Sequence, residues 1–65
     1  MKNFILLTED FSGEKILINL DKVIYMRSTK GGAGTEITYN QGMGSDTHWV
    51  SETIEEIYEI INKPI

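Results

Sequence analysis

The chain has 65 residues and a formal net charge of −4, from six Lys and Arg against ten Asp and Glu. This length allows one domain, residues 1–65, and the absence of cysteine excludes disulfides and thiolate metal sites. The acidic balance disfavours nucleic acid and anionic membrane surfaces as partners, since phosphate binding depends on Lys and Arg. No apolar run has the length of a membrane span or of a signal-peptide core, so we expect a cytoplasmic protein.

The first third of the chain predicts an antiparallel pair of strands. Residues 3–8 form the first strand, and its four consecutive apolar residues need cover on both faces. Residues 9–13 contain Ser-Gly and form a turn. A second strand then runs back over residues 14–19, so a hairpin is expected here.

A polar corner at residues 20–22 separates this hairpin from the next strand. The two charged residues of the corner interrupt two apolar segments, which indicates a bend in the sheet. A third strand follows over residues 23–28. Its period of two places Ile24 and Met26 on the same face, which is expected to be the buried one.

Glycine-rich segments divide the second half of the chain. Residues 29–34 contain three Gly and form a loop. Residues 35–39 form a half-solvated strand, in which alternation places Thr35, Ile37 and Tyr39 on one face and Glu36 and Thr38 on the other. Residues 40–45 form a second glycine-containing turn, and residues 46–50 form the fifth strand.

The last element is an amphipathic helix. Thr53 and Glu56 have the spacing of a capping box, and Pro64 ends the helix. We expect Ile57 and Ile60 to be buried against the sheet. Four isoleucines recur at helical spacing: Ile54, Ile57, Ile60 and Ile61.

Together these elements predict an α+β fold. The expected architecture is a small five-stranded, mainly antiparallel bent sheet, barrel-like, with one C-terminal helix across a face. A domain of this length buries only about 60% of the surface of its unfolded chain, so it usually needs disulfides, a metal or oligomerisation. With no cysteine and a single His, self-association is the supplement that we expect.

The first strand is the predicted place for self-association. Its residues Phe4, Ile5, Leu6 and Leu7 are apolar on both faces, and the helix covers only one face of a sheet. A two-fold contact through this strand or its edge would cover the other face. Closure of the sheet into a small barrel is the alternative way to bury these residues.

The two glycine-rich segments are candidate contact loops for a ligand or a partner. A phosphate-binding loop lies between a strand and a helix and ends in Gly-Lys, whereas here Lys precedes the glycines and strands flank both segments. A hairpin loop is therefore the preferred interpretation, and both segments would form one rim if they lay at the same end of the sheet. The candidate residues are Arg27, Lys30, Gly31, Gly32, Gly34, Gly42, Met43 and Gly44.

No catalytic, cofactor-binding or metal-binding residues are predicted. Ser45, Asp46 and His48 contain the residue types of a catalytic triad, but neighbours on one strand do not form the required chain of hydrogen bonds. A surface pair of Asp46 and His48 is the preferred interpretation, and the ligands for a metal are too few. We expect no enzymatic activity.

Several motifs resemble the small FlbD-type swarming-motility proteins of bacteria. The segment V-S-E-T-I-E-E-I at residues 50–57 is similar to the V-x-E-[ST]-x-E-E-[IV] segment that closes that family's β-domain. L-L-T at residues 6–8, G-E-K at 13–15 and I-N-L-D-K-V-I at 18–24 are similar to its front half. The resemblance spans nearly the whole chain, and it implies a protein-contact role without catalytic residues or a cofactor.

A second resemblance concerns V-I-Y-M-R at residues 23–27, which is similar to the strand core of the LytTR DNA-binding domain. The preferred functional hypothesis is a non-enzymatic protein-interaction or assembly module of a bacterium or phage, acting as a homo-oligomer with a further protein partner. The alternative is a phage-type protein that binds or sequesters a small signalling nucleotide through its Gly-rich loops. No nucleic-acid polymer, membrane or cofactor is expected as a partner.

Overall fold

A computed structural model of the chain describes residues 3–29 and 31–63. Two positions named above, Lys30 and Pro64, lie outside the described residues. The α+β class, the five strands and the closing helix are confirmed. The elements in chain order are β1 Phe4–Thr8, β2 Lys15–Asn19, a 3₁₀ turn Leu20–Lys22, β3 Val23–Ser28, β4 Thr35–Asn40, β5 Ser45–Val50 and α1 Ile54–Asn62.

The strands form two sheets where one bent sheet was predicted. β1 and β2 form an antiparallel hairpin, and β3, β4 and β5 form a three-stranded antiparallel sheet in sequence order. The sheets are joined where β1 and β5 end, through an isolated bridge between Glu9 and Val50 and a 3.0 Å hydrogen bond from the Asp10 N–H to the Trp49 carbonyl. Within the described residues the strands do not close into a barrel, so that part of the prediction is wrong.

The predicted corner is a 3₁₀ turn, and it explains the division into two sheets. The Asn19 side chain caps the turn by accepting a hydrogen bond from the Asp21 N–H at 3.0 Å. Because residues 20–22 are wound into this turn, β2 and β3 do not form a hairpin with each other. The chain therefore leaves the first sheet and begins the second.

A β-bulge changes the predicted facing of β3. Val23 pairs with Tyr39 and Tyr25 pairs with Thr38, so Ile24 is the additional residue between these pairs. Val23 and Met26 both pack against the core, whereas Ile24 is 56% exposed. The prediction that Ile24 and Met26 share a buried face is therefore wrong, because one inserted residue shifts the alternation.

The core lies between the two sheets and receives one residue from the helix. Among residues 3–29 and 31–63, the six buried apolar side chains of the core are Ile5, Leu7, Ile18, Ile37, Val50 and Ile57. The burial of Ile57 is confirmed, but Ile60 is 41% exposed and its predicted burial is wrong. Helix α1 lies against β3. Ile57 is buried in the core, whereas Ile60 and Ile61 in the last helical turn are exposed.

The helix begins as predicted. The Thr53 hydroxyl accepts from the Glu56 N–H at 3.2 Å, and the Glu56 carboxylate accepts from the Thr53 N–H at 2.8 Å. Two N–H groups that lack a partner inside the helix are thereby satisfied. Among residues 3–29 and 31–63, no helix has the length and apolar character needed to cross a membrane.

Candidate interaction surfaces and cleft

The first candidate site is the outer face of the β1–β2 hairpin. Leu6 lies directly opposite Leu17, and Phe4 lies opposite Asn19. The apolar residues of this face are substantially exposed: Phe4 39%, Leu6 53% and Leu17 52%. We call Phe4, Leu6 and Leu17 the outer hairpin face.

The structure separates the four residues predicted for self-association. Phe4 and Leu6 belong to the outer hairpin face, whereas Ile5 and Leu7 point into the core and are buried. Ile5 pairs with Ile18, and Leu7 pairs with Ile16. Packing between the two sheets therefore already covers Ile5 and Leu7, and they are not available to a partner.

Both hydrogen-bonding edges of strand β1 have neighbours near Thr8, so its edge is less available to a second copy than predicted. One side pairs with β2 throughout, and on the other side the Thr8 carbonyl accepts from the Ser51 N–H at 2.9 Å. The Thr8 N–H donates to the Glu52 carboxylate at 2.9 Å. Among the described residues, β2 pairs only with β1, so the other edge of β2 is open along the whole strand.

Glu52 connects several elements through hydrogen bonds. The sequence motifs included it only as part of the segment at residues 50–57 and did not predict this structural role. Its carboxylate also accepts from the Thr8 hydroxyl at 2.8 Å, and its carbonyl accepts from the buried Thr35 hydroxyl at 2.8 Å. Burial alone would raise the pKa of Glu52. The hydrogen bonds from Thr8, a backbone N–H and the charge of Lys15 outweigh burial, and the net pKa is lowered.

The two glycine-rich loops do not form one rim. Successive hairpin loops of an antiparallel three-stranded sheet lie at opposite ends, and residues 29–34 and 41–44 are successive loops of β3, β4 and β5. The predicted succession of antiparallel strands already implies that the two loops lie at opposite ends of the sheet. Gly34 packs under the backbone of Val50, whereas Met43 is fully exposed at the other end.

A cleft with a volume of about 490 Å³ lies beside the second of these loops. It contains the side chains of Lys22, Tyr39 and His48, and the rings of Tyr39 and His48 are stacked with centroids 5.2 Å apart. Of the predicted loop residues that the structure describes, only Gly42 lines the cleft. The complete lining is Leu17, Ile18, Asn19, Lys22, Tyr39, Asn40, Gln41, Gly42 and His48.

Aromatic side chains and Arg27 lie on the outer face of the three-stranded sheet. Arg27 forms an ion pair with Glu36 at 3.3 Å, and its guanidinium lies 5.5 Å from the ring centroid of Tyr25. Trp49 is directly opposite Glu36 on the same face. Tyr, Trp and Arg are enriched among residues that dominate protein–protein binding. The periodicity of the sequence predicted β3 and β5, but it did not indicate that Tyr25, Arg27 and Trp49 lie on one face.

The triad residue types do not form a catalytic arrangement. Asp46 accepts hydrogen bonds from the N–H of Thr47 at 2.8 Å and from the Gln41 side chain at 3.4 Å. In the described part of the chain, no hydrogen bond connects Asp46 with His48 or Ser45 with His48. The same residues contain no group of three or more His, Asp or Glu side chains placed to hold a metal ion.

No protein-family model, curated protein sequence or solved structure matches the chain. The resemblances to the FlbD-type proteins and to the LytTR domain therefore stay predictions. The functional argument consequently depends on the chain's own surfaces.

Proposed function

We propose that the chain is a non-enzymatic protein-interaction or assembly module of a bacterium or phage, which acts in the cytoplasm as a homo-oligomer. The observation that carries this proposal is the outer hairpin face, where Phe4, Leu6 and Leu17 are 39%, 53% and 52% exposed. All three belong to one two-stranded sheet whose other face forms part of the core. Covering this apolar surface in a complex would be favourable.

The size of the core supports the same proposal. In the described part of the chain, the core consists of six buried apolar side chains from the hairpin, the three-stranded sheet and the helix. Each half-exposed Leu of the outer hairpin face would contribute about 1 kcal/mol on becoming buried, by the relation between apolar area and free energy. For a domain whose stability is limited by its size, this contribution is a substantial gain.

Sedimentation of the purified protein at micromolar concentration tests the proposal. We expect a dimer or higher oligomer that Leu17→Glu converts into a folded monomer, because the new carboxylate would lose water in the contact. Tyr58→Glu is the matched control, since it also replaces an exposed apolar side chain by Glu but lies on α1. A folded wild-type protein that sediments only as a monomer contradicts self-association.

The exposed aromatic group on the second sheet supports a further protein partner. Trp49, Tyr25 and Arg27 share one open sheet face, and Phe11 lies beside Trp49 at a shallow groove. The proposal predicts that immobilised wild-type protein retains a specific partner from lysate of the source cell, and that Trp49→Ala loses it. Retention that is unchanged by Trp49→Ala would contradict this location.

Small-molecule binding is the second candidate function, and the cleft of about 490 Å³ is the observation that favours it. Binding sites for small ligands commonly have volumes of about 300–1,000 Å³ and combine apolar walls with a few polar groups. Lys22 offers a cation, and the Tyr39–His48 stack offers a flat aromatic wall. A signalling nucleotide carries both an anionic and a planar group.

A thermal-shift screen with cyclic and linear nucleotides separates the two functions. Nucleotide binding predicts a raised melting temperature that Lys22→Ala diminishes, and NMR signals of His48 and Gly42 that move on titration. The signals of Gly31 and Gly32, in the loop at the opposite end of the sheet, serve as the internal control. An interaction module without a nucleotide ligand predicts no shift with any of these compounds.

A further inference from the structure

We propose that a second copy of the chain binds along the open edge of β2, antiparallel, with a two-fold axis at Leu17. The two hairpins then form one continuous four-stranded sheet in the order β1, β2, β2 and β1. This inference rests on the proposed self-association and specifies its geometry. Three independent features carry it: the backbone groups on the β2 edge, the register that they allow and the side chains on the two sheet faces.

The backbone of β2 presents a regular set of unpaired groups on its open edge. The Leu20 N–H donates to the Asn3 carbonyl, and the Glu9 N–H donates to the Glu14 carbonyl, so both of these cross-strand pairs are hydrogen-bonded. Hydrogen-bonded and non-hydrogen-bonded pairs alternate along an antiparallel ladder. The alternation directs the N–H and C=O groups of three β2 residues away from β1: Lys15, Leu17 and Asn19.

These three residues are otherwise free on the described part of the chain. Outside the ladder with β1, no hydrogen bond within residues 3–29 and 31–63 uses the main-chain groups of Lys15, Leu17 or Asn19. An exposed row of such groups is a template for another strand. The edge of β3 is a poorer template, because the bulge at Ile24 interrupts it and α1 lies against β3.

One register uses the whole edge. With Leu17 opposite Leu17 of the second copy, Lys15 lies opposite Asn19 of the second copy, and Asn19 lies opposite Lys15. All three pairs are of the hydrogen-bonded type, which gives six hydrogen bonds between the copies. If the second copy is shifted along the edge by two residues, at least one outward-facing residue of each β2 has no partner. In a register centred on Lys15, the two Lys15 side chains would also lie opposite each other, which places like charges together.

The side chains agree with this register on both faces. On the outer face, the two Leu17 side chains meet at the axis, and each is flanked on its own hairpin by Leu6. On the inner face, Ile16 lies opposite Ile18 of the second copy. Lys15, the one charged residue of β2, donates to the Thr8 hydroxyl of its own hairpin at 2.8 Å. Its ammonium group is thus held over the sheet face, and the edge is left open.

Single and paired cysteines test the register, since the chain has no cysteine of its own. Residues of a hydrogen-bonded antiparallel pair have Cα atoms about 5.5 Å apart, a separation that a disulfide spans. We expect oxidation to convert Leu17→Cys into a covalent dimer. The double variant Lys15→Cys with Asn19→Cys should also give a covalent dimer while retaining Leu17.

The matched controls are Leu6→Cys and Lys15→Cys alone. In the proposed dimer the two Leu6 positions are three strand spacings apart, about 14 Å, and the two Lys15 positions are about 14 Å apart, so neither forms a disulfide. Circular dichroism of each reduced variant establishes that it is folded. Concentration-dependent slowing of amide exchange at Leu17, but not at Met43, provides a measurement that needs no substitution.

The outcomes separate this inference from the proposed function. Covalent dimers from Leu17→Cys and from the double variant, with none from the two controls, support pairing along β2. A dimer in sedimentation that cross-links at Leu6 but not at Leu17 overturns strand pairing and retains self-association through the outer hairpin face. A dimer that none of these variants cross-links also overturns the register. A folded wild-type monomer overturns both.

Discussion

The carboxylate of Glu52 accepts two hydrogen bonds from Thr8, one from its N–H at 2.9 Å and one from its hydroxyl at 2.8 Å. Thr8 ends β1, and Glu52 directly precedes the capping box of α1. The Glu52 carbonyl also accepts from Thr35 at the start of β4. A single residue therefore joins the hairpin, the three-stranded sheet and the start of the helix.

Replacing Glu52 by Gln should lower the free energy of unfolding by about 1–3 kcal/mol, because hydrogen bonds to a charged acceptor contribute in this range. Gln retains the size of the side chain but offers one acceptor oxygen where the carboxylate has two. Glu59→Gln on the exposed face of α1 is the matched control, with an expected change of less than about 0.5 kcal/mol. Urea unfolding measures the free energy of unfolding of both variants, and an equal decrease in the two would contradict a special role of Glu52.

The lowered pKa of Glu52 makes its contribution depend on pH. A carboxyl group with a lower pKa in the folded state stabilises the fold fully above its unfolded pKa, near 4.5. This contribution is lost as the pH falls through the lower folded pKa. The difference in stability between wild type and Glu52→Gln should therefore be larger at pH 7 than at pH 3. An equal difference at the two pH values would contradict the assignment.

Ile57 and Ile60 provide a test of the helix contact. Ile57→Ala should cost about 2–5 kcal/mol, the usual range for a buried aliphatic side chain, which is sufficient to unfold much of a marginally stable domain. Ile60→Ala removes the same atoms from a side chain that is 41% exposed, and it should cost less than half as much. Thermal unfolding followed by circular dichroism compares the two variants. A larger loss for Ile60→Ala would show a different rotation of α1.

Gly34 and Gly44 form a second matched pair. A Cβ atom at Gly34 would overlap the carbonyl oxygen of Val50, whereas a Cβ at Gly44 meets no atom within 4 Å. Neither glycine has a positive φ. Gly34→Ala should therefore destabilise by about 1–3 kcal/mol through overpacking, and Gly44→Ala should be neutral or stabilising by about 0.4–1 kcal/mol. Comparable melting temperatures for both variants would contradict the close approach at Val50.

The local signals of the sequence determined the elements correctly. Apolar runs and alternation predicted the strands, three glycines predicted the loop before β4, and the spacing of Thr53 and Glu56 predicted the helix start. The corner at residues 20–22 was also placed correctly. These predictions are correct because the free energies of such local features depend on residues within three or four positions of one another.

The tertiary structure decided which faces are buried and which edges are open. The bulge at Ile24 shifts the alternation of β3, and the bridge between Glu9 and Val50 joins two sheets that the sequence predicted as one. The partnership of Thr8 with Glu52 connects positions 44 residues apart. Such features depend on strand register and packing between distant segments, which a local pattern does not encode. The open edge of β2 belongs to this second group, because it exists only once β1 has paired on the other side.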